Sequence, residues 1–207
     1  MINADNHPIS RPPQVVELGG NVAAAYCTKL IADTGATVFK IELPDGDALR
    51  TSDANETSYF GALNLNKDSV VLDYQANPDL LDAWLDWADI VIHDLAPRDA
   101  KKFKLDAERI RKDYPALVCT AITPFGHFGP HADYEAVELN LAHGGGWANL
   151  CPATHDNPDL APLKVAGDHC QMMAAVSAAA TTLACYRDAR TSGVGEFIDF
   201  SIQAYVA

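Results

Sequence analysis

Gln14-Val15-Val16-Glu17-Leu18-Gly19-Gly20-Asn21-Val22, with Thr37-Val38-Phe39-Lys40-Ile41 fifteen residues on, is the stretch that decides the fold. Its first five residues are rich in β-branched side chains and read as a strand ended by Gly19-Gly20. Asn21 offers a side-chain oxygen to cap a helix from Val22 to about Thr34, where apolar residues recur at helical spacing. Gly35 stops that helix, and Thr37 opens the next strand. The alternation continues outward. Further strands are expected at Ser69-Val70-Val71-Leu72, at Asp89-Ile90-Val91-Ile92 and over Leu117 to Ile122, with helices over Pro78 to Trp87 and Asp106 to Asp113. Repeated βα units of this kind predict α/β architecture with a parallel, doubly wound sheet. Beyond Thr123, a loop with Pro124, Gly126, Gly129 and Pro130 lies at the carboxyl end of the fifth strand, the edge where such sheets bind ligands. A helix from about Tyr134 to His143 then stops at Gly144-Gly145-Gly146. A loop over Cys151 to Pro162 leads to a long helix, about His169 to Arg187, and Glu196 to Ser201 reads as a strand or the start of a helix.

At 207 residues the chain can bury a sizeable core, and 48% hydrophobic with 21% charged residues excludes disordered and fibrous classes. The net charge of −13 argues against nucleic acid and anionic membrane as partners. The polar, proline-broken start, Met1 to Pro13, lacks the apolar core of a signal peptide, and the most apolar stretch, Met172 to Tyr186, is too short to span a bilayer. Cys27, Cys119, Cys151, Cys170 and Cys185 are odd in number and widely spaced, which suits free thiols in a reducing, cytoplasmic compartment.

Several local patterns favour structural over chemical readings. Gly19-Gly20 follows a strand, but the third glycine of a dinucleotide loop is absent, so NAD is not expected. His127 and His131 have zinc-ligand spacing, yet Gly129-Pro130 between them forbids a helix; they read as loop histidines, and no metal is expected. The glycine triplet reads as a helix stop ahead of a phosphate cradle.

Two patterns are stronger. Arg98, Lys101, Lys102, Lys104, Arg109, Arg111 and Lys112 hold seven of the fifteen basic residues. Against Asp99, Asp106 and Glu108 they leave +4 within an acidic chain. They are either a solvated helix face or a place where a polyphosphate finds hydrogen bonds and attraction. Val165-Ala166-Gly167-Asp168 opens the long helix. Asp168 there is an N-cap whose carboxylate accepts orphan amides, a nucleophile kept ionised by the helix terminus, or both.

Six blocks in order resemble the family III CoA-transferases, which include formyl-CoA, carnitine and bile-acid CoA-transferases and the α-methylacyl-CoA racemases. They are Ala32 to Glu42 with Pro44-Asp45-Gly46-Asp47 and Arg50; Asn64-Leu65-Asn66-Lys67 with Ser69 to Asp73; Ala88 to Ile92 with Pro97; Phe125 to Pro130; Gly167-Asp168; and Gly193 to Ser201. The resemblance implies a Rossmann-like parallel sheet with helices on both faces. Residues 1–207 would be the N-terminal part of the large CoA-binding domain, incomplete relative to the full fold, with the small domain and C-terminal return segment absent. It further implies coenzyme A and acyl-CoA as substrates, a carboxylate acceptor, and a homodimer of interlocked chains.

On this resemblance Asp168 matches the catalytic aspartate, which attacks an acyl-CoA thioester and passes through an aspartyl anhydride and an aspartyl-CoA thioester. Ala23, Lys102 and Phe103 match cofactor-binding positions. The racemase branch uses a His-Asp pair where this chain, aligned from Gly129-Pro130, has Val137-Glu138. A CoA-binding module without turnover is the third reading. Its basis is Val22, Leu43 and Asp94, the last within His93-Asp94-Leu95 where the family commonly has Glu-Asn-Phe.

Overall fold

A computed structural model describes residues 11–50, 54–147, 161–163 and 166–207, with side chains in the helix at 54–63 described from Ser58 onward. The strands are β1 Gln14–Leu18, β2 Thr37–Glu42, β3 Asp68–Val71, β4 Ile90–His93, β5 Val118–Thr123 and β6 Phe197–Ser201. The helices are α1 Val22–Asp33, α2 Ala54–Leu63, α3 Asp82–Trp87, α4 Pro97–Lys102, α5 Ala107–Asp113, α6 Glu138–Gly144, α7 His169–Ser192 and α8 Ile202–Val206.

All strand pairs are parallel, in the order β3-β2-β1-β4-β5-β6. This is the doubly wound arrangement expected from the sequence. The chain moves outward from β1 to β3, returns across the sheet, and continues outward from β4 to β6. The order therefore reverses between β1 and β4, and their carboxyl ends diverge into a crevice. Strands β4 and β5 are buried along their whole length, as central strands covered on both faces must be.

The faces can be read from side-chain parity. Val15, Val38, Ile90, Ile92, Val118 and Ile122 join the cluster under α1, α6, α7 and α8. Val16, Leu18, Ile41, Val91 and Cys119 join the opposite cluster, with Leu85 of α3 and Ile110 of α5. Helix α1 can lie flat against α7 because its inner side is Ala23, Ala24, Cys27 and Ile31, meeting Ala174, Ala175 and Ala178.

Three boundaries depart from the sequence expectation. The helix expected from Pro78 begins as a 3₁₀ turn, Pro78–Leu81, with the Asn77 side chain accepting from the Asp79 amide; α3 follows only at Asp82. The helix expected from Tyr134 begins at Glu138, because the Asn140 side chain takes the Val137 amide and sets the start there. Helix α7 runs past Arg187 to Ser192 and ends on left-handed Gly193. Helix α2 was not expected at all.

The glycine triplet does stop a helix: α6 ends at Gly144, with Gly145 as its cap. Cys27, Cys119 and Cys170 are buried and Cys185 half-buried, all as free thiols. The expected loop from Cys151, that cysteine included, lies outside the described residues as far as 160. No described helix is long and apolar enough to cross a membrane.

Candidate active site

Three clefts meet where β1 and β4 diverge. One, of about 820 Å³, is walled by Asn21, Leu95, Arg98, Asp133, Val137 and Asn140, among others. A second, of about 330 Å³, lies between Gly20-Asn21-Val22 and Val137, Glu138, Asp168 and Gln171. The third, of about 280 Å³, runs past Gly19, Leu43, Asp47, Tyr74 and Leu95. They share Gly20, Asn21, Ala48, Leu95, Ala136 and Val137, so they form one continuous groove around the start of α1.

Asp168 stands in this groove at the N-cap position of α7, but the capping expected of its carboxylate is not what the structure holds. Its side chain makes no capping hydrogen bond. The buried carboxylate of Glu138 does that work from α6, accepting from the Cys170 amide at 2.6 Å and the Gln171 amide at 3.4 Å. One negative charge at the positive end of a 24-residue helix is favourable, and Glu138 supplies it. Asp168 instead accepts a hydrogen bond from the Tyr59 hydroxyl, 3.0 Å from its Oδ2. Tyr59 reaches it from α2, whose Leu63 packs with Val22 and Ala25 of α1 beside Met172 of α7. Burial, followed by the neighbouring Asp168 and Glu138 carboxylates, pushes the Tyr59 phenol well above its ordinary range, so it stays a donor.

Tyr59 and Glu138 are the two residues that sequence reading missed in these roles. Their contacts span 109 and 32 residues, beyond the reach of any local pattern.

None of the residues matched to cofactor binding is among the described residues lining the cleft that holds Asp168. Ala23 is fully buried between α1 and the sheet, and Phe103 is buried against Tyr74 at 5.4 Å. Lys102 is exposed at the end of α4, its ammonium 4.8 Å from the Phe103 ring centre. The basic stretch is partly spent on ion pairs. Lys104 pairs with Asp79, and Arg109 meets Asp82 at 2.6 Å and Asp113 at 3.3 Å. Lys101, Lys102, Arg111 and Lys112 remain exposed, with Arg98 at the rim of the large cleft. His127 and His131 both lie in the loop after β5, as expected.

Several motif residues serve the scaffold. Glu17 and Lys40 are register partners on β1 and β2. Lys40 Nζ lies 2.7 Å from Glu17 Oε1 and 2.8 Å from Asp47 Oδ2, while Lys67 Nζ lies 2.7 Å from Glu17 Oε2. Burial alone would raise the Glu17 pKa; Lys40 and Lys67 outweigh it and hold the group below its ordinary range. Alongside, Arg50 grips Glu42 with two 2.7 Å bonds. These two groups hold β1, β2 and the 43–50 loop at the edge of the groove.

At the floor, Asp94 Oδ2 accepts from the amides of Gly20 at 2.9 Å and Asn21 at 2.7 Å. Asn21 in turn caps α1 through Ala24, at 2.7 Å, as its sequence position implied.

Residues 13–207 match the family model for CoA-transferase family III. The chain belongs to that family. The succinate–glutarate CoA-transferase of Agrobacterium fabrum is 27% identical over 94% of this chain and 52% of that protein. The cinnamoyl-CoA:phenyllactate CoA-transferase of Clostridium sporogenes is 30% identical over 91% of this chain and 48% of that one. The succinyl-CoA–D-citramalate CoA-transferase of Chloroflexus aurantiacus is 28% identical over 93% and 50%. A CAIB/BAIF family protein from Brucella suis superposes with a TM-score of 0.84 at 26% identity, covering 94% of this chain and 53% of that one. As a family III chain, then, it spans about half the length of the curated relatives it matches. The doubly wound sheet is the family III architecture, and the groove at its carboxyl edge holds the Asp168–Tyr59 pair.

Proposed function

We propose that this chain is the CoA-binding, large-domain portion of an enzyme that moves CoA between carboxylic acids, with Asp168 as the nucleophile. The observation that carries the reading is the placement of Asp168. Its carboxylate lines the cleft at the head of the sheet, held by Tyr59 while Glu138 relieves it of helix capping.

In the reaction, an Asp168 oxygen attacks the donor thioester carbonyl; the carbon–sulfur bond breaks and CoA leaves as thiolate, giving a mixed anhydride. The thiolate attacks the aspartyl carbonyl, releasing the donor carboxylate and leaving an aspartyl-CoA thioester. The acceptor carboxylate attacks this thioester, breaking the carbon–sulfur bond and releasing CoA thiolate to give a second anhydride, and thiolate attack on its acyl carbon yields the new acyl-CoA and restores Asp168. A carboxylate suits these steps because its anhydride stays as activated as the thioester it replaced. Tyr59 donates to Oδ2 and so orients the Asp168 carboxylate for attack. Lys102 and its neighbours on α4 supply positive charge for the CoA phosphates, with the Phe103 ring beside Lys102.

Proton exchange next to the thioester is the weaker reading. The position that a histidine would need is Val137, an exposed apolar residue, and Glu138 beside it is occupied by the α7 amides.

Calorimetric titration with CoA is the first test; no binding at millimolar ligand sinks both enzymatic readings. Succinyl-CoA, the donor named for the Chloroflexus relative, is then added with hydroxylamine. Trapping of an acyl group on Asp168 is expected, and an Asp168→Ala variant that traps equally well refutes the assignment.

A further inference from the structure

The head of a helix in the crevice of an open parallel sheet is ordinarily where a ligand's phosphates settle, on free amides at the positive end of the dipole. Here α1, 12 residues long, begins at that place, and its leading amides already hold a carboxylate. The fit is built in. Gly19 has φ +104°, and a side chain there would put its first carbon 1.8 Å from Asp94 Oδ1, so the backbone closes directly over the carboxylate. Asp94 also lines the 820 Å³ cleft, whose other charged walls among the described residues are Asp99, Asp133 and Glu135 against the cation Arg98. Asp133 turns its Oδ1 to the Arg98 amide at 3.0 Å. The floor of the groove therefore repels a polyanion. Lys40, whose Nζ donates to the Gly19 carbonyl at 3.1 Å, is already paired with Glu17 and Asp47, so the exposed bases are those of α4: Arg98 at the cleft wall, with Lys101 and Lys102.

We propose that Asp94 is a resident anion that fills the phosphate position at the start of α1, and that it diverts the phosphates of a polyphosphate ligand to the α4 rim. Asp94 is thus a specificity-determining residue, setting where the charged end of the ligand lies while its thioester end reaches toward Asp168. Only the identification of that ligand as CoA rests on the function proposed above. The exclusion of phosphate from α1 applies to any polyphosphate.

The test is an amide NMR titration of the unmodified protein with inorganic pyrophosphate and, separately, with CoA. The Gly20 and Asn21 amides are expected to stay in place, with any movement on α4. Movement of Gly20 and Asn21 in the unmodified protein overturns the proposal. Asp94→Asn keeps an oxygen for the two amides and removes the charge; Asp94→Ser empties the position. Both are expected to bind pyrophosphate about tenfold more tightly or better, because a like charge within a few ångströms has gone, and in Asp94→Ser, where the amides are vacated, Gly20 and Asn21 now shift. Affinities within about twofold of the unmodified protein also overturn it, and if neither variant folds, the unmodified spectra alone decide. The two readings fail separately. Variants that gain pyrophosphate while nothing binds CoA leave the exclusion standing and remove the CoA reading. CoA bound through Gly20 and Asn21 does the reverse.

Discussion

Tyr59 and Asp168 lie 109 residues apart in sequence and meet through one 3.0 Å hydrogen bond. In a transferase with Asp168 as nucleophile, that bond orients the attacking carboxylate while leaving substrate contacts alone. Tyr59→Phe is therefore expected to lower kcat by roughly 10- to 100-fold, the usual effect of losing a hydrogen bond to a charged group, with KM nearly unchanged. Steady-state kinetics with an acyl-CoA donor check this, and a rise in KM at constant kcat contradicts it. The Glu17–Lys40–Lys67 group makes a different demand, on stability. Lys40→Met leaves Glu17 and Asp47 short of their cation inside the sheet and is expected to cost roughly 3–5 kcal/mol in urea unfolding. Arg50→Met, which strips a half-exposed side chain from Glu42, is expected to cost much less. Asp168 was legible in the sequence because it stands at the head of a long helix and within a family block. Tyr59 was not, since a tyrosine in an unrecognised helix carries no mark of its distant partner.

At the scale of elements, Glu138 ties α6 to the first turn of α7. Glu138→Gln is expected to speed hydrogen exchange at the Cys170 and Gln171 amides and to cost roughly 1–3 kcal/mol, since Gln returns only part of a charged acceptor. Strand β4 ends in an acid-sensitive group. His93 is buried, its Nδ1 accepting from the Leu95 amide at 3.2 Å while its Nε2 has no hydrogen-bond partner among the described residues. Burial, then nearby His127, lowers its pKa from 6.5 to about 3. Unfolded chains therefore take up this proton first, and stability is lost as pH falls from 6.5 toward 3. Glu42, held down to about 2 chiefly by Arg50, adds a loss between 4.5 and 2. Each group contributes a slope of at most about 1.4 kcal/mol per pH unit. Urea unfolding across this range is expected to show both phases, and His93→Gln, which can still accept from Leu95, should retain only the lower one. The strands were legible to within a residue because β-branched runs bounded by glycine and proline leave little choice. Helix α2 escaped because its sequence, Ala54 to Leu63, has a weak apolar face. Tyr134 to Val137 misled because an Asn140 side chain, invisible to periodicity, decides where α6 starts.

For the whole molecule, the charge of −13 and the acidic groove make a prediction about rates. An anionic ligand should associate faster as salt rises, because screening weakens long-range repulsion. Stopped-flow association of CoA at low and physiological ionic strength checks this, and slower association at higher salt would show that the α4 rim dominates the field. The doubly wound parallel sheet and a ligand edge at its carboxyl end could be foreseen, since the topology of repeated βα units leaves few alternatives. The local charge within the groove could not, because Asp94, Asp133 and Glu135 converge there only once the sheet is wound. The buried group on β1 and β2 has a final consequence, for how such a protein changes over generations. Glu17, Lys40, Asp47 and Lys67 balance one another, so replacing any one leaves a stranded charge. A lineage could exchange the set for apolar side chains with little loss, but each single step would pass through an unstable intermediate. The four positions are therefore locked to each other by the route between sequences, whatever the groove above them comes to do.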